Sequence, residues 1–127
     1  MSMAKSKSSH PERLKALIER NIRDIVLFEI RNPKIGMVSI NEVRLNSDNS
    51  EAKVYVTFLG AKYPHQAFLE LKKTEGFVRS SLAKKVAMYK VPKVIFVYDE
   101  SFEEAASLEK KLAQEASDLE AMKHGGE

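Results

Sequence analysis

"GMVSINEVRLNSDNSEAKVYVTFLG", residues 36–60, contains two runs in which apolar residues recur at every second position, the spacing of strands with one face in a core. In the second run Ala52, Val54, Val56 and Phe58 alternate with Lys53, Tyr55, Thr57 and Leu59. In the first, Val38 and Ile40 share one phase while Val43 and Leu45 share the other. One extra residue near Asn41-Glu42, a β-bulge, brings both pairs to the same face. Between the runs lies Asn46-Ser47-Asp48-Asn49-Ser50, whose side chains stabilise turns by bonding to nearby backbone. The stretch predicts a bulged antiparallel hairpin.

Helices are expected on both sides of it. Upstream, Ser9-His10-Pro11-Glu12 has capping-box spacing, and Leu14, Leu17, Ile18, Asn21, Ile22, Ile25 and Val26 follow at three- and four-residue steps. Because residues before proline avoid helical angles, Asn32-Pro33 closes a first helix predicted over 9–31. Downstream, after a loop with Gly60 and Pro64, Phe68 and Leu71 mark a second helix and "GFVRSSLAKKVAMY" a third. In the third, Val78, Leu82, Val86 and Tyr89 fall within a sector of roughly 80° that must face the core. Pro92 then leads into the strand Lys93–Tyr98, as prolines can at a strand's start. Ser101-Phe102-Glu103-Glu104 is a second capping box, opening a helix to about Lys123. Along it Ala105, Leu108, Leu112, Leu119 and Met122 form a stripe that only Glu115 breaks. That helix either lies on the domain or binds a partner. The order α-β-β-α-α-β plus a terminal helix makes an α+β domain over 9–100, between a flexible basic segment, 1–8, and an acidic helix and tail, 101–127.

With 127 residues, 43% of them hydrophobic, the chain suits one compact core. It has no cysteine, which excludes disulfides, thiolate metal sites and a cysteine nucleophile and fits a reducing compartment. No apolar run approaches the roughly 18 residues that span a bilayer, so a cytoplasmic protein without a membrane partner is expected. The net charge of +3 is unevenly spread: residues 99–127 carry nine acidic against three basic residues, a net −6, while the other 98 carry 18 basic against nine acidic, a net +9. Such a basic body suits a polyanion binder or a merely solvated surface.

Signals for catalysis are poor. His10, His65 and His124 lie at the amino end, in a loop and in a glycine-rich tail, without ligand spacing, and no phosphate loop, dinucleotide fingerprint or nucleophile elbow occurs. Neither a metal nor a cofactor is expected, and the chain reads as a non-enzyme. A metal-free ribonuclease would need one of the three histidines. Nucleic-acid binding has better support: Lys72, Lys73, Arg79, Lys84, Lys85, Lys90 and Lys93 lie within 22 residues, with Glu75 the only acid among them. Cations of this kind bind phosphate without reading sequence. Lys5, Lys7, Arg13 and Arg20 add to the set. Tyr55 and Tyr98, on strands, are candidates for stacking on bases or for ordinary packing.

Gly76 separates the second and third helices. As a helix terminator it would take left-handed backbone angles, and the exposed amides beside Arg79 and Lys84 would form an anion-receptive corner.

The order of elements, with a glycine between helices two and three, resembles a type II KH domain. More specifically, "EIRNPKIGMVSI", "SDNSEAKVYVTFLG", "GFVRSSLAKKV" and "VPKVIFVYDESFEEA" occur in the order of the bacterial ribosome-binding factor A family, a resemblance over about residues 10–108. It implies a mixed three-stranded sheet packed on helices. It also implies a non-enzymatic assembly factor, here expected to be a monomer, that binds the free 30S subunit and its 16S rRNA, assists late maturation and processing, and serves growth in the cold. The Gly-x-x-Gly loop of ordinary KH domains is absent. The family's helix-kink-helix, marked Ala-x-Gly, corresponds to Thr74-Glu75-Gly76, where Thr74 replaces alanine and offers a hydroxyl to cap helix three. The alternative from another class is a protein adaptor that acts through the terminal helix on a ribosomal protein or maturation GTPase.

Overall fold

The computed structural model describes residues 2–86, 90–100 and 108–125, with side chains from residue 12 to residue 122 of these. The hairpin forms as its alternation requires. β1 (Met37–Leu45) and β2 (Glu51–Leu59) pair antiparallel, and the register slips between Ile40 and Glu42, so that Val38, Ile40, Val43 and Leu45 lie opposite Phe58, Val56, Val54 and Ala52. The bulge is held from outside the sheet, because Arg23 donates to the Ile40 carbonyl at 3.0 Å and also reaches Glu19 at 3.1 Å. The loop is closed by its own side chains: Asn46 accepts from the Glu51 amide at 3.0 Å, Asp48 accepts from the Ser50 amide at 3.1 Å, and Asn49 takes a left-handed φ of 58°. Asparagine tolerates that conformation better than most residues.

α1 (Ser2–Asp24) begins earlier than the Ser9 capping box, which therefore lies inside the helix; the lysines, methionine and alanine ahead of it favour helix. The side chains of the box lie partly outside the described residues. α1 also ends earlier than residue 31. It widens into a π-helical turn (Ile25–Glu29), after which Ile30 is extended. Ile25 and Val26 complete the buried stripe begun by Ile18 and Ile22, but Leu27 and Phe28 turn outward.

α2 (Pro64–Lys72) and α3 (Glu75–Lys85) carry the chain back to β3 (Lys93–Tyr98), which pairs parallel with β2. The sheet order is β1-β2-β3, mixed, with β3 at one edge. Its inner face contributes Ala52, Val54, Val56, Phe58, Val94, Phe96 and Tyr98 to a core shared with α1, α2 and α3. Val78, Leu82 and Val86 face that core as their helical spacing predicts, whereas Tyr89 lies outside the described residues. The Ser101 box does too. Among the described residues, no helix is long and apolar enough to cross a membrane.

α4 (Leu108–Gly125) packs against α2, and Glu115 explains why. Rather than interrupting an apolar stripe, its carboxylate accepts from the amides of His65 at 3.1 Å and Gln66 at 2.8 Å and lies 2.5 Å from His65 Nδ1. These are first-turn amides of α2, which lack partners within their own helix. Tyr63, which precedes Pro64, offers no side-chain cap, so a residue 50 positions away supplies one. His65 is therefore not a loop residue. It stacks on Tyr98 with ring centroids 4.3 Å apart and is only 5% exposed.

Candidate nucleic-acid interface

The α2–α3 kink is made by backbone and side chains other than those the glycine suggests. Lys73 ends α2 near helical angles, and Thr74, at φ −92° and ψ 1°, turns the chain through the bridge region. Gly76 sits inside α3 without a positive φ, and a Cβ built on it meets open space. It is neither the terminator nor a point of close approach, which corrects the left-handed reading. Nor does Thr74 cap α3: its hydroxyl donates back to the Leu71 carbonyl at 2.6 Å, closing α2. Glu75 brings negative charge to the first turn of α3, which disfavours an anion there.

Glu75 has a structural task. Its carboxylate accepts from the Phe96 amide at 2.7 Å, and Lys72 donates to the Phe96 carbonyl at 3.4 Å and to Glu75 at 3.2 Å. Together they occupy backbone groups on the outer edge of β3, which would otherwise remain open to strand pairing. Spacing within the chain gave no sign of this, because the partner strand lies 21 residues away.

The seven basic residues consequently divide. Lys72 is held at the β3 edge, Lys73 pairs with Glu70 at 2.6 Å, and Lys85 pairs with Glu29 at 2.9 Å. Arg79 donates to the Val91 carbonyl at 3.3 Å, which draws the middle of α3 towards the start of β3. Lys84, Lys90 and Lys93 are exposed and form no ion pair among the described residues. Along α3 the rise per residue alone separates Glu75 from Lys85 by roughly 15 Å, and Lys73 lies beyond the kink at the end of α2. The cluster is an extended band, not a single pocket. Two carboxylates are tuned by this arrangement: Glu29 is held below the ordinary carboxylate range, first by the Ser81 hydroxyl and then by Lys85, and Glu70 is held low first by Lys73.

On α3, Phe77 lies nearly opposite the buried sector and is 50% exposed. Ser80, Ser81 and Lys84 follow it at steps of three, four and seven, so all four share the outward side of the helix. A wheel drawn from Val78, Leu82 and Val86 would have shown this. Of the two readings for the strand tyrosines, packing applies to Tyr98. Tyr98 is buried among His65, Phe58 and Phe68, so it cannot stack on a base, and Tyr55 lies under the Arg44 guanidinium, 5.1 Å from its ring centre. His65 is unavailable for ribonuclease chemistry for the same reason as Tyr98. The side chains of His10 and His124 lie outside the described residues.

Comparison with known proteins follows the same outline. The family model for ribosome-binding factor A matches residues 10–112. Ribosome-binding factor A of Thiobacillus denitrificans is 37% identical over 108 residues, covering 84% of this chain and 86% of that protein. The Halothermothrix orenii protein of the same name is 34% identical over 119 residues, covering 90% and 98%. Among solved structures, ribosome-binding factor A from Thermus thermophilus superposes with a TM-score of 0.60 at 23% identity, over 71% of this chain and 96% of that one. A homology model of the Thermus protein, fitted into an electron cryo-microscopy map of its 30S complex, gives a TM-score of 0.58 at 23% identity, over 72% of this chain and 97% of that one. At such identity these two likenesses speak for the fold. By the family match and the identity to its relatives, the chain belongs to the ribosome-binding factor A family.

Proposed function

We propose that the protein binds the free small ribosomal subunit through its 16S rRNA and assists late maturation and processing of that RNA, including in the cold, without itself making or breaking bonds. Membership of the ribosome-binding factor A family carries the reading. The band of exposed cations on α3 and at the start of β3 supports it physically. Lys84, Lys90 and Lys93, with Arg79 beside them, supply phosphate contacts, while Lys72, Lys73 and Lys85 hold the surface in shape. Shape and phosphate contact together hold one arrangement of an RNA junction until maturation displaces the protein. A monomer in the cytoplasm is the working form in this reading.

Sedimentation of the purified protein with small subunits, large subunits and complete ribosomes tests it. Association confined to free small subunits and weakening with salt is expected. If roughly four phosphates are contacted, affinity falls about a hundredfold between ~50 and ~200 mM salt. Salt-insensitive association, or none, refutes the surface assignment. The adaptor alternative loses ground because Glu115 is already engaged with α2. Deleting 101–127 would also uncap α2, so substitutions on the outer side of α4 test that alternative more cleanly than truncation.

A further inference from the structure

The outward side of α3 and the π-helical turn at the end of α1 enclose a hollow of 280 Å³, bounded by Glu29, Phe77, Ser80, Ser81, Lys84 and Lys85. Single exposed apolar residues are ordinary on protein surfaces. Here, however, half-exposed Phe77 lines a concave site, and the π turn adjoining it presents Phe28, 69% exposed, one residue before Glu29. The rim has a definite charge. Glu29 accepts from Ser81 at 2.6 Å and pairs with Lys85, so its carboxylate is already answered, while Lys84, which acts on Glu29 only from a distance, makes no ion pair among the described residues and is open to an incoming group. Glu29 is thus a strut that fixes the α1 end against α3.

We infer that this hollow receives one unpaired nucleotide of RNA, its base against the Phe77 ring and an adjoining phosphate at Lys84. The inference rests on the RNA-binding reading above and deepens it. An aromatic side chain beside a cation, with the Ser80 hydroxyl on the same rim while Ser81 is committed to Glu29, is the composition that single-stranded nucleic acid uses: stacking is sequence-tolerant and the cation tracks the backbone. A paired base has both faces covered by its neighbours and cannot enter. An apolar protein segment would have no use for the lysine rim.

The chain has four tyrosines and no tryptophan, so Phe77→Trp places a sole tryptophan, which can be excited apart from the tyrosines, at the site. Titration with a short unstructured RNA should quench it saturably, and a blunt RNA duplex of equal charge should not. Phe77→Ala should weaken binding of the unstructured RNA about tenfold, a typical stacking loss, with the salt slope unchanged. Lys84→Glu should weaken binding and reduce that slope by about one contact. Because Phe77 is outside the core, circular dichroism should show each variant folded. Binding of labelled RNA without quenching, or an equal affinity in Phe77→Ala, overturns the stacked nucleotide and leaves the function reading intact. Quenching by duplex overturns it as well. Failure of the protein to bind either RNA overturns the inference, and if small subunits are still bound, the function reading stands on other contacts. Loss of small-subunit association in Phe77→Ala with naked RNA binding unchanged would make the hollow a protein contact instead.

Discussion

α2 and α3 share one sheet and one kink, yet they use their polar side chains differently. Around α2 nearly every such group is taken up within the protein: the first-turn amides by Glu115, Gln66 by the Leu112 carbonyl, Thr74 by Leu71, Lys73 by Glu70, and Lys72 by the β3 edge. α4 packs against α2, leaving Leu69 39% exposed. α3 is anchored at its two ends, through Glu75 on Phe96 and Lys85 on Glu29, and leaves Phe77, Ser80 and Lys84 facing outward between them. One helix is a structural member and the other a presented surface. Basic residues close in sequence therefore have unlike roles, since a lysine already paired with a carboxylate has part of its charge neutralised and offers less to phosphate.

The sharpest way to break this division is charge reversal. Replacing Lys84, Lys90 and Lys93 together by Glu should weaken small-subunit association by about a hundredfold or more, with folding stability changed by less than ~0.5 kcal/mol per substitution, as for surface substitutions generally. Replacing Lys72 and Lys73 by Gln should weaken association far less. Equal losses in the two variants, measured by sedimentation or filter binding, would dissolve the contrast. The reverse pattern is expected of Glu115→Ala, which removes a cap and leaves buried donors unanswered. It should lower stability by about 2 kcal/mol in urea unfolding while leaving RNA affinity of the folded protein nearly unchanged.

Gly76→Ala gives a smaller effect of opposite sign. With helical angles and open space around its Cβ site, alanine should stabilise the protein by ~0.5–1 kcal/mol, whereas a left-handed glycine would make the same change costly. The smallest expected effect concerns pH. Glu29 has a folded-state pKa below its ordinary value, so the stability it contributes is complete above the ordinary carboxylate range and is lost as pH falls through the lowered value. The difference in melting temperature between the native protein and Ser81→Ala should accordingly be present at neutral pH and vanish in acid. A difference that persists in acid would assign the Ser81 contact a role independent of the Glu29 charge.

Most of the architecture was legible because it follows from period and phase. The shift from Val38 and Ile40 to Val43 and Leu45 located the bulge, and the stripes of α1 and α3 located their buried sides. What sequence spacing did not convey are partnerships between distant residues. Glu115 looked like a flaw in an apolar stripe because the amides it caps are 49 and 50 residues away. Gly76 drew attention as the most permissive residue at the kink, but permissiveness is not need, and Thr74 makes the turn. The π turn left no mark in the hydrophobic pattern, so Leu27 and Phe28 seemed to belong to a continuing helix. At the candidate site the basic residues were visible as a group, yet which of them are occupied depends on Glu29, Glu70 and Phe96 across the fold.

The most direct test of the central claim, that α3 and the start of β3 present the surface that meets the small subunit, is competition sedimentation with free small subunits. The native protein and the Lys84, Lys90 and Lys93 charge-reversal variant would be mixed with limiting subunits at low salt. The account predicts that native protein alone is carried down and that moderate salt releases it. Equal recovery of both proteins in the pellet would contradict it.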